Sequence, residues 1–367
     1  MSITRNEIPE ELAKVIRTLI NIILLLLFAL ILLPVLFFNS DRISKFFTST
    51  PVKENNSTPV INSVTTIDES SYWKAPDLKE INDSKKLEQV TYGKELIAHT
   101  AKFLGPNGNV LKISNGMNCQ NCHLDAGTRV FGNNYGSVAS LYPKFRARSG
   151  GVEDIYKRVN DCFERSLNGK ALDTNSNEMQ SIKAYIEYVG SNVEKGKKAE
   201  GSGLKDMPFL DRATDPEKGK VVFQAKCQSC HQANGEGIML GDGSEYIYPP
   251  LWGAHSYNDG AGLYRISNFA KYVKFNMPLG VTHQSAQLTD EEAWDVAAFV
   301  NSQTRPHKKV PNDWPDISKK PIDHPFGPYT DKFSEKQHKY GPYKPIAAEQ
   351  KKREEMAKQK EIAVAKK

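Results

Sequence analysis

Two short cysteine and histidine motifs carry the most specific chemistry in this sequence. The pentapeptide CxxCH occurs at residues 119–123 and again at residues 227–231, and the two copies use four of the five cysteines in the 367-residue chain. In such a motif the two thiols add to the vinyl groups of a porphyrin, and the histidine becomes the proximal ligand of the iron. The sequence therefore predicts two covalently attached haem c groups with their iron atoms. The predicted haem-binding residues are Cys119, Cys122, Cys227 and Cys230, and the predicted proximal ligands are His123 and His231.

A pair of zinc-binding CxxC knuckles is the alternative interpretation of these cysteines. It does not explain why a histidine follows directly after each cysteine pair. The formal net charge of +6 is modest and is spread over the chain, so we expect no nucleic-acid partner.

The fifth cysteine and one methionine are candidates for the distal side of the two irons. Cys162 lies past the first motif, where a distal ligand would have to originate, although a buried structural thiol and an intermolecular disulfide are equally compatible with its spacing. For the second haem, Met277 before Pro278 is the expected ligand, with Met239 and His283 as rivals. A thioether ligand raises the potential of an iron relative to a thiolate, so electrons would flow from the first haem to the second.

A long apolar run lies near the N-terminus. Residues 19–38 are apolar apart from Asn21, and a helix of this length spans about 30 Å. Because haem c is attached on the outer side of a bacterial membrane, we predict a transmembrane anchor in the lipid bilayer that holds the protein on the periplasmic side of the inner membrane. Residues 1–18 would then be a short cytoplasmic segment. A cleaved signal peptide, which would leave the protein free in the periplasm, is the alternative.

Composition and motif spacing divide the rest of the chain. Residues 39–84 are rich in Ser, Thr, Asn and Pro, which predicts a flexible tether. The two motifs lie about 108 positions apart, which indicates an internal duplication. We therefore predict an all-α fold with two cytochrome c-like haem domains in tandem, a first domain over residues 85–200 and a second over 204–305. Residues 306–346 are predicted to wrap the surface, and residues 347–367 to form a solvated tail.

Capping signals place helices around both motifs. Asn175, with Glu178 three residues later, predicts the start of the helix that closes the first domain. Asp215 before Pro216 predicts the helix that leads into the second motif. Thr289 with Glu292 predicts the start of the helix that closes the second domain.

Several longer runs resemble one family of cytochromes. They are MNCQNCHLDAGT, YPKFRARSG, IYKRVNDCFERSLNGKAL, NSNEMQSIKAYIEYV, KFNMPLG and PFGPYTDKFSEKQHKYGPY. From about Tyr72 to Ile346 the chain resembles the dihaem thiosulfate dehydrogenase/tetrathionate reductase cytochromes, which have a haem with His and Cys ligands at the active site. The resemblance implies that His123 and Cys162 ligate the catalytic haem, and that His231 and Met277 ligate an electron-transfer haem. Some members have a lysine ligand before that methionine; here the residue is Asn276, which argues against a redox-driven ligand exchange.

The resemblance also implies an activity and a substrate pocket. The family joins two thiosulfate ions into tetrathionate with release of two electrons, or runs the reverse reaction, and its site would place Arg148, Arg158 and Ser166 at the substrate. We expect thiosulfate to enter beside Cys162, which is displaced or carries a sulfane adduct. The expected redox partner is a c-type cytochrome or a membrane respiratory complex. The alternative from another functional class is a noncatalytic dihaem electron shuttle, with these arginines on a solvated face or at haem propionates.

Overall fold

The structure, a computed structural model, describes residues 10–38 and 71–365. The chain forms two compact units, Met1–Thr66 and Ile67–Lys367, and both haem motifs lie in the second unit. In the first unit the described residues form one helix, α1 (Glu10–Phe38). Most of the predicted tether and the first half of the predicted cytoplasmic segment lie outside the described residues.

The prediction of a transmembrane anchor over residues 19–38 is wrong. Among the described residues no helix is both long enough and apolar enough to cross a membrane. A spanning helix needs about 20 consecutive apolar residues. The prediction that the lipid bilayer is a partner depended on this anchor, so it is not supported either.

The first haem module, residues 84–189, consists of short helices around the first CxxCH motif. Helix α2 begins after Asp83, whose side chain accepts a hydrogen bond from the Lys86 backbone N–H. The motif itself forms a 3₁₀ turn, Cys119–Asn121. The helices of the module are α2 (Ser84–Ala98), α3 (Thr100–Leu104), α4 (Leu124–Gly127), α5 (Val138–Leu141), α6 (Ile155–Arg165) and α7 (Asn177–Val189).

The N-cap of α7 differs by one residue from the prediction. Ser176, rather than Asn175, caps the helix, because its hydroxyl accepts a hydrogen bond from the Met179 backbone N–H at 3.2 Å. Both residue types are good caps, so the sequence alone does not choose between neighbours. Glu178 lies in the first turn, as predicted.

The second haem module, residues 216–302, repeats this plan. Asp215 caps the helix that begins at Pro216, and Thr289 forms a capping box with Glu292, so both predicted helix starts are confirmed. The helices of the module are α8 (Pro216–Lys226), α9 (Gln228–His231), α10 (Ile266–Asn276) and α11 (Asp290–Ser302).

The same helix crossing closes both modules. Helix α2 packs on α7, and α8 packs on α11. A Cβ on Gly93 would come within 2.0 Å of the Ser181 carbonyl oxygen, and a Cβ on Gly219 within 1.9 Å of the Asp295 carbonyl oxygen. In each pair the helices approach so closely that only glycine fits. The shared crossing supports the internal duplication.

Two short hairpins correct the prediction of an all-α fold to one that is mostly helical. In the first module β1 (Lys144–Arg146) pairs antiparallel with β2 (Gly151–Glu153), and Phe145 lies opposite Val152. In the second module β3 (Ile238–Met239) pairs antiparallel with β4 (Tyr246–Tyr248). Strands of two or three residues are too short to show a period in the sequence.

Segments on both sides of the modules pack against them. Trp73 and Ile81 are buried in the core of the first module, although residues 71–84 had been predicted as the end of the tether. After the second module the chain continues through two further helices, α12 (Glu335–Tyr340) and α13 (Tyr343–Ala365). Tyr343 and Ile346 are buried in the core of the second module. Beyond Ile346, α13 is mostly exposed.

The second crossing gives a stability prediction. Gly219→Ala should lower the free energy of unfolding by about 1–3 kcal/mol, because the new methyl group must push α8 away from α11. Thermal unfolding of the purified protein, followed by circular dichroism, measures the effect. Gly241→Ala is the matched control, since a Cβ there has no neighbour within 4 Å. Equal melting temperatures for the two variants would contradict the close-approach argument.

Candidate active site and haem sites

One face of helix α6 carries three of the predicted site residues. Asp154 caps the helix by accepting a hydrogen bond from the Lys157 backbone N–H at 2.8 Å. Arg158, Cys162 and Ser166 then follow at intervals of four residues, so their side chains lie on the same side of the helix. All three side chains line one cavity in the first module.

The first CxxCH motif lines the same cavity. Cys119, Cys122 and His123 all contribute to its wall. The His123 ring stacks on Tyr135 at a centroid distance of 4.6 Å, and its Nδ1 donates a hydrogen bond to the Asn133 carbonyl oxygen at 2.6 Å. Because a carbonyl oxygen only accepts, Nδ1 carries a proton, which leaves Nε2 as the ring nitrogen that can bind a metal.

The Cys162 sulfur contacts both a cation and the proximal histidine. Arg158 donates from Nη1 to the Cys162 Sγ at 3.2 Å. Burial raises the pKa of the Cys162 thiol, but the charge of Arg158 and a hydrogen bond with His123 outweigh it, and the pKa falls from 9.0 to about 6. Cys162 is therefore a thiolate at neutral pH, which is the form that binds a metal. Its place in an interior cavity does not fit an intermolecular disulfide.

Arg148 lies beside this cavity rather than in its lining. Its Nε is 3.9 Å from Asp313 Oδ2, and its guanidinium carbon is 5.7 Å from the centroid of the Trp314 ring. Burial and the nearby charge of Arg165 lower the pKa of Arg148 to about 10, and Asp313 opposes them. The charge of Arg158 also lowers the pKa of Arg148. The two predicted substrate arginines are therefore close enough to repel each other.

Three residues of this neighbourhood were not identified from the sequence. Asp161 contacts Lys157 Nζ at 2.5 Å and lies 3.8 Å from Arg165 Nε. Its spacing of four from both cations could have indicated it. Asp313 and Trp314 carry no such signal, because they are distant in sequence and reach the site only through the fold of the C-terminal extension, residues 306–346.

The second cavity lies in the second module and contains the other predicted haem ligands. Cys227, Cys230, His231 and Met277 all line it. His231 Nδ1 donates to the Pro249 carbonyl oxygen at 2.8 Å, which repeats the arrangement of His123. Burial lowers the pKa of His231, and this favours the neutral imidazole that a metal requires.

The geometry favours Met277 over its two rivals. Met239 lies in β3 with 38% of its surface exposed, and it is not among the residues that line the cavity. The His283 ring packs edge-on against Phe131 at a centroid distance of 5.0 Å. Met277, at the end of α10, shares the cavity wall with His231.

Asn276 has a different role from that of a ligand. The side chain is buried, and its Nδ2 donates to the carbonyl oxygens of Phe131 at 3.2 Å and Tyr272 at 3.1 Å. The amide thus joins the first module to helix α10.

Both cavities fit a covalently bound haem c. Each offers two thiols, an imidazole that is oriented by a carbonyl oxygen, and a further sulfur atom for the sixth iron position. Much of the remaining lining is apolar, with Ile97 and Ile182 in the first cavity and Phe223 and Leu251 in the second. Cys122 lines both cavities, so the two haem sites are neighbours.

Two family models match the two haem modules. The model described as "SoxA/TsdA, cytochrome c domain" matches residues 110–194, and the model described as "Cytochrome c" matches residues 216–304. Each range contains one CxxCH motif and its proximal histidine. The protein is therefore a dihaem c-type cytochrome, and the two predicted haem c groups are confirmed.

Known proteins that resemble the chain place it in a family. The thiosulfate dehydrogenase of Psychrobacter arcticus is 38% identical over 66% of this chain and 72% of its own length. That of Stutzerimonas stutzeri is 33% identical over 64% and 74%. The as-isolated structure of the thiosulfate dehydrogenase (TsdBA) from Marichromatium purpuratum has a TM-score of 0.59 and 30% identity, and the match covers 65% of this chain but only half of that longer chain. The chain belongs to the thiosulfate dehydrogenase family, as predicted.

The second haem site gives a prediction about redox properties. Met277→Ala should leave both haems attached but lower the midpoint potential of one of them, because a thioether ligand raises the potential of haem iron. A redox titration followed by absorption spectroscopy measures the change. Met239→Ala is the matched control and should titrate like the parent. If only Met239→Ala shifted a potential, Met277 would not be the ligand.

Proposed function

We propose that this protein oxidises thiosulfate to tetrathionate at the first haem site and passes the electrons on through the second. Two thiosulfate ions become joined by a new sulfur–sulfur bond, and two electrons are released. The observation that carries the proposal is the contact of the Cys162 sulfur with Arg158 and His123 inside one cavity. That contact combines a thiolate with a fixed cation beside a haem ligand.

The predicted enzyme class agrees with the known relatives. Those named above are all thiosulfate dehydrogenases, and their matches span about two thirds of this chain. The protein is accordingly an oxidoreductase that acts on thiosulfate through cytochrome c domains.

Electrostatic repulsion between the two substrates is the main obstacle in this reaction. Two dianions held about 4 Å apart repel each other by roughly 4 kcal/mol even in water, and by more in a protein cleft. The site needs fixed positive charge to bring them together. Arg158 provides it in the cavity wall, and Arg148 provides it beside the cavity. The planar guanidinium offers paired N–H donors that match the oxygen face of a sulfonate.

The cavity residues divide the remaining work. Arg158 binds a sulfonate group and keeps Cys162 ionised, while the Ser166 hydroxyl, one helical turn further along α6, donates to a substrate oxygen. The outer sulfur of one thiosulfate bonds to Cys162 Sγ with loss of two electrons. The outer sulfur of the second thiosulfate then attacks the outer sulfur of the first, which is the one bound to Cys162 Sγ. This step forms the central sulfur–sulfur bond of tetrathionate and releases the Cys162 thiolate. Haem c, when bound at the two sites, supplies one-electron acceptors that together match a two-electron oxidation.

The second site gives the electrons a direction. His231 and Met277 provide a higher-potential environment than His123 and Cys162 do, so electrons released at the first site pass to the second. Cys122 lines both cavities, which keeps the path between the sites short. We place the haem modules in the bacterial periplasm, where haem c is attached, and expect a c-type cytochrome or a membrane respiratory complex to accept the electrons.

A noncatalytic electron shuttle is the competing function. Such a carrier needs two ligated haems but gains nothing from a guanidinium held against a thiolate inside a cavity. The pairing of Arg158 with Cys162 therefore favours the enzyme. A shuttle would be indifferent to loss of the Arg158 charge as long as both haems stayed intact.

Arg158 provides the test of this proposal. Arg158→Ala should lower kcat/KM for thiosulfate by about 30- to several thousand-fold, because removal of a buried charge partner costs about 2–5 kcal/mol. Arg158→Lys should recover part of the loss. Steady-state assays with an artificial electron acceptor, together with a haem count, measure the effect. Lys85→Ala, which removes an exposed cation on α2, is the control and should match the parent. A change of less than about threefold in Arg158→Ala would favour the electron shuttle.

A further inference from the structure

A turn of the C-terminal extension lies directly against Arg148. The Trp314 backbone N–H donates to the Arg148 carbonyl oxygen at 2.6 Å, and the Trp314 ring lies beside the Arg148 guanidinium. The preceding residue, Asp313, approaches Arg148 Nε at 3.9 Å. The extension therefore contacts both the backbone and the side chain of a residue that we place at the substrate.

Asp313 forms ion pairs with both Arg148 and Arg165. It accepts hydrogen bonds from Arg165 Nη1 at 2.9 Å and Nη2 at 2.8 Å, and the pair is largely buried. Arg165 is the last residue of α6, next to Ser166. One carboxylate thus holds together two guanidinium groups that would otherwise repel each other.

The backbone around this contact is fixed on both sides. Trp314 has φ +60°, a left-handed conformation that costs a bulky residue free energy unless its surroundings hold it. Pro315 packs on the turn that follows Arg148, where a Cβ on Gly150 would lie 2.5 Å from Pro315 Cγ. The turn that carries Arg148 therefore packs closely against the turn that carries Trp314.

Two N–H groups of this contact have no acceptor within the described part of the protein. Among the described residues, Arg148 Nε and Trp314 Nε1 are buried side-chain nitrogens without a hydrogen-bond partner. Buried donors of this kind usually have an acceptor. An oxyanion bound beside Arg148 would supply it.

We propose that Asp313 and Trp314 are positioning residues that hold the Arg148 guanidinium at the substrate site. The C-terminal extension would then be part of the thiosulfate pocket of the first module. This inference rests on the proposed function, since it takes Arg148 as a substrate-binding residue. Asp313 supplies the charge that keeps Arg148 close to Arg165, and the Trp314 ring restricts the side chain to one direction.

Asp313→Asn in the full-length dihaem protein tests the inference. The variant should raise the KM for thiosulfate by about 10- to 100-fold, the expected loss when a charged hydrogen-bond partner is removed, with kcat and both haem spectra nearly unchanged. In an Arg148→Ala background the same change should alter KM by less than about twofold, because a positioning residue has nothing left to position. Asp313→Glu should restore part of the affinity.

Two further variants separate this role from simple stabilisation. Asp295→Asn breaks a paired carboxylate–guanidinium contact of the same geometry, with Arg212 at 2.9 and 2.8 Å, and should leave the KM unchanged. If Asp313→Asn does not accumulate, Trp314→Leu keeps an apolar side chain but removes the aromatic ring, and it should raise the KM by about three- to tenfold.

The outcomes distinguish this inference from the proposed function. If Arg148→Ala raised the KM but Asp313→Asn and Trp314→Leu did not, the positioning role would be overturned and the pocket would stand. An equal rise for Asp313→Asn with and without Arg148 would also overturn it. If Arg148→Ala itself left the KM unchanged, the assignment of Arg148 to the substrate in the proposed function would fail, and with it this inference.

Discussion

A thiolate that lines an interior cavity needs a permanent positive partner, and the contact between Cys162 and Arg158 meets that need. An unpaired ionised side chain inside a protein costs several kcal/mol, so a cysteine in this cavity would otherwise stay protonated. The four-residue spacing on α6 brings the guanidinium within 3.2 Å of the sulfur without any help from distant segments. The cap at Asp154 and the carboxylate of Asp313 then fix the two ends of that helix.

The two modules show how one plan serves two tasks. Both have a tight helix crossing that depends on glycine, and both orient the proximal histidine through a backbone carbonyl oxygen. They differ in the origin of the sulfur that we propose as the distal ligand. In the first module it comes from the middle of a helix next to a cation, whereas in the second it comes from Met277 at a helix end in a largely apolar cavity. The chemistry thus follows from a few side chains on a common scaffold.

Local patterns predicted much of this molecule. The CxxCH motifs located both proximal histidines, and capping residues such as Asp215 and Thr289 located helix starts, because these signals act over a few residues. The family resemblance pointed to Cys162, Arg158 and Ser166, and the structure brings their side chains together. Asp313 and Trp314 were missed, since only the path of the extension brings them to Arg148. The anchor was predicted from the apolar run at residues 19–38, but none of the described helices is long and apolar enough to cross a membrane.

The identity of the distal ligand at the first site is the central claim, and one variant tests it most directly. Cys162→Ala should retain two haems by pyridine haemochrome assay, since attachment depends only on the CxxCH cysteines. In the oxidised parent protein, electron paramagnetic resonance should show a low-spin histidine–thiolate signal, and this signal should be absent from the variant. Thiosulfate turnover should be lost as well. An unchanged signal, or turnover close to that of the parent, would contradict the assignment of Cys162 as the catalytic ligand.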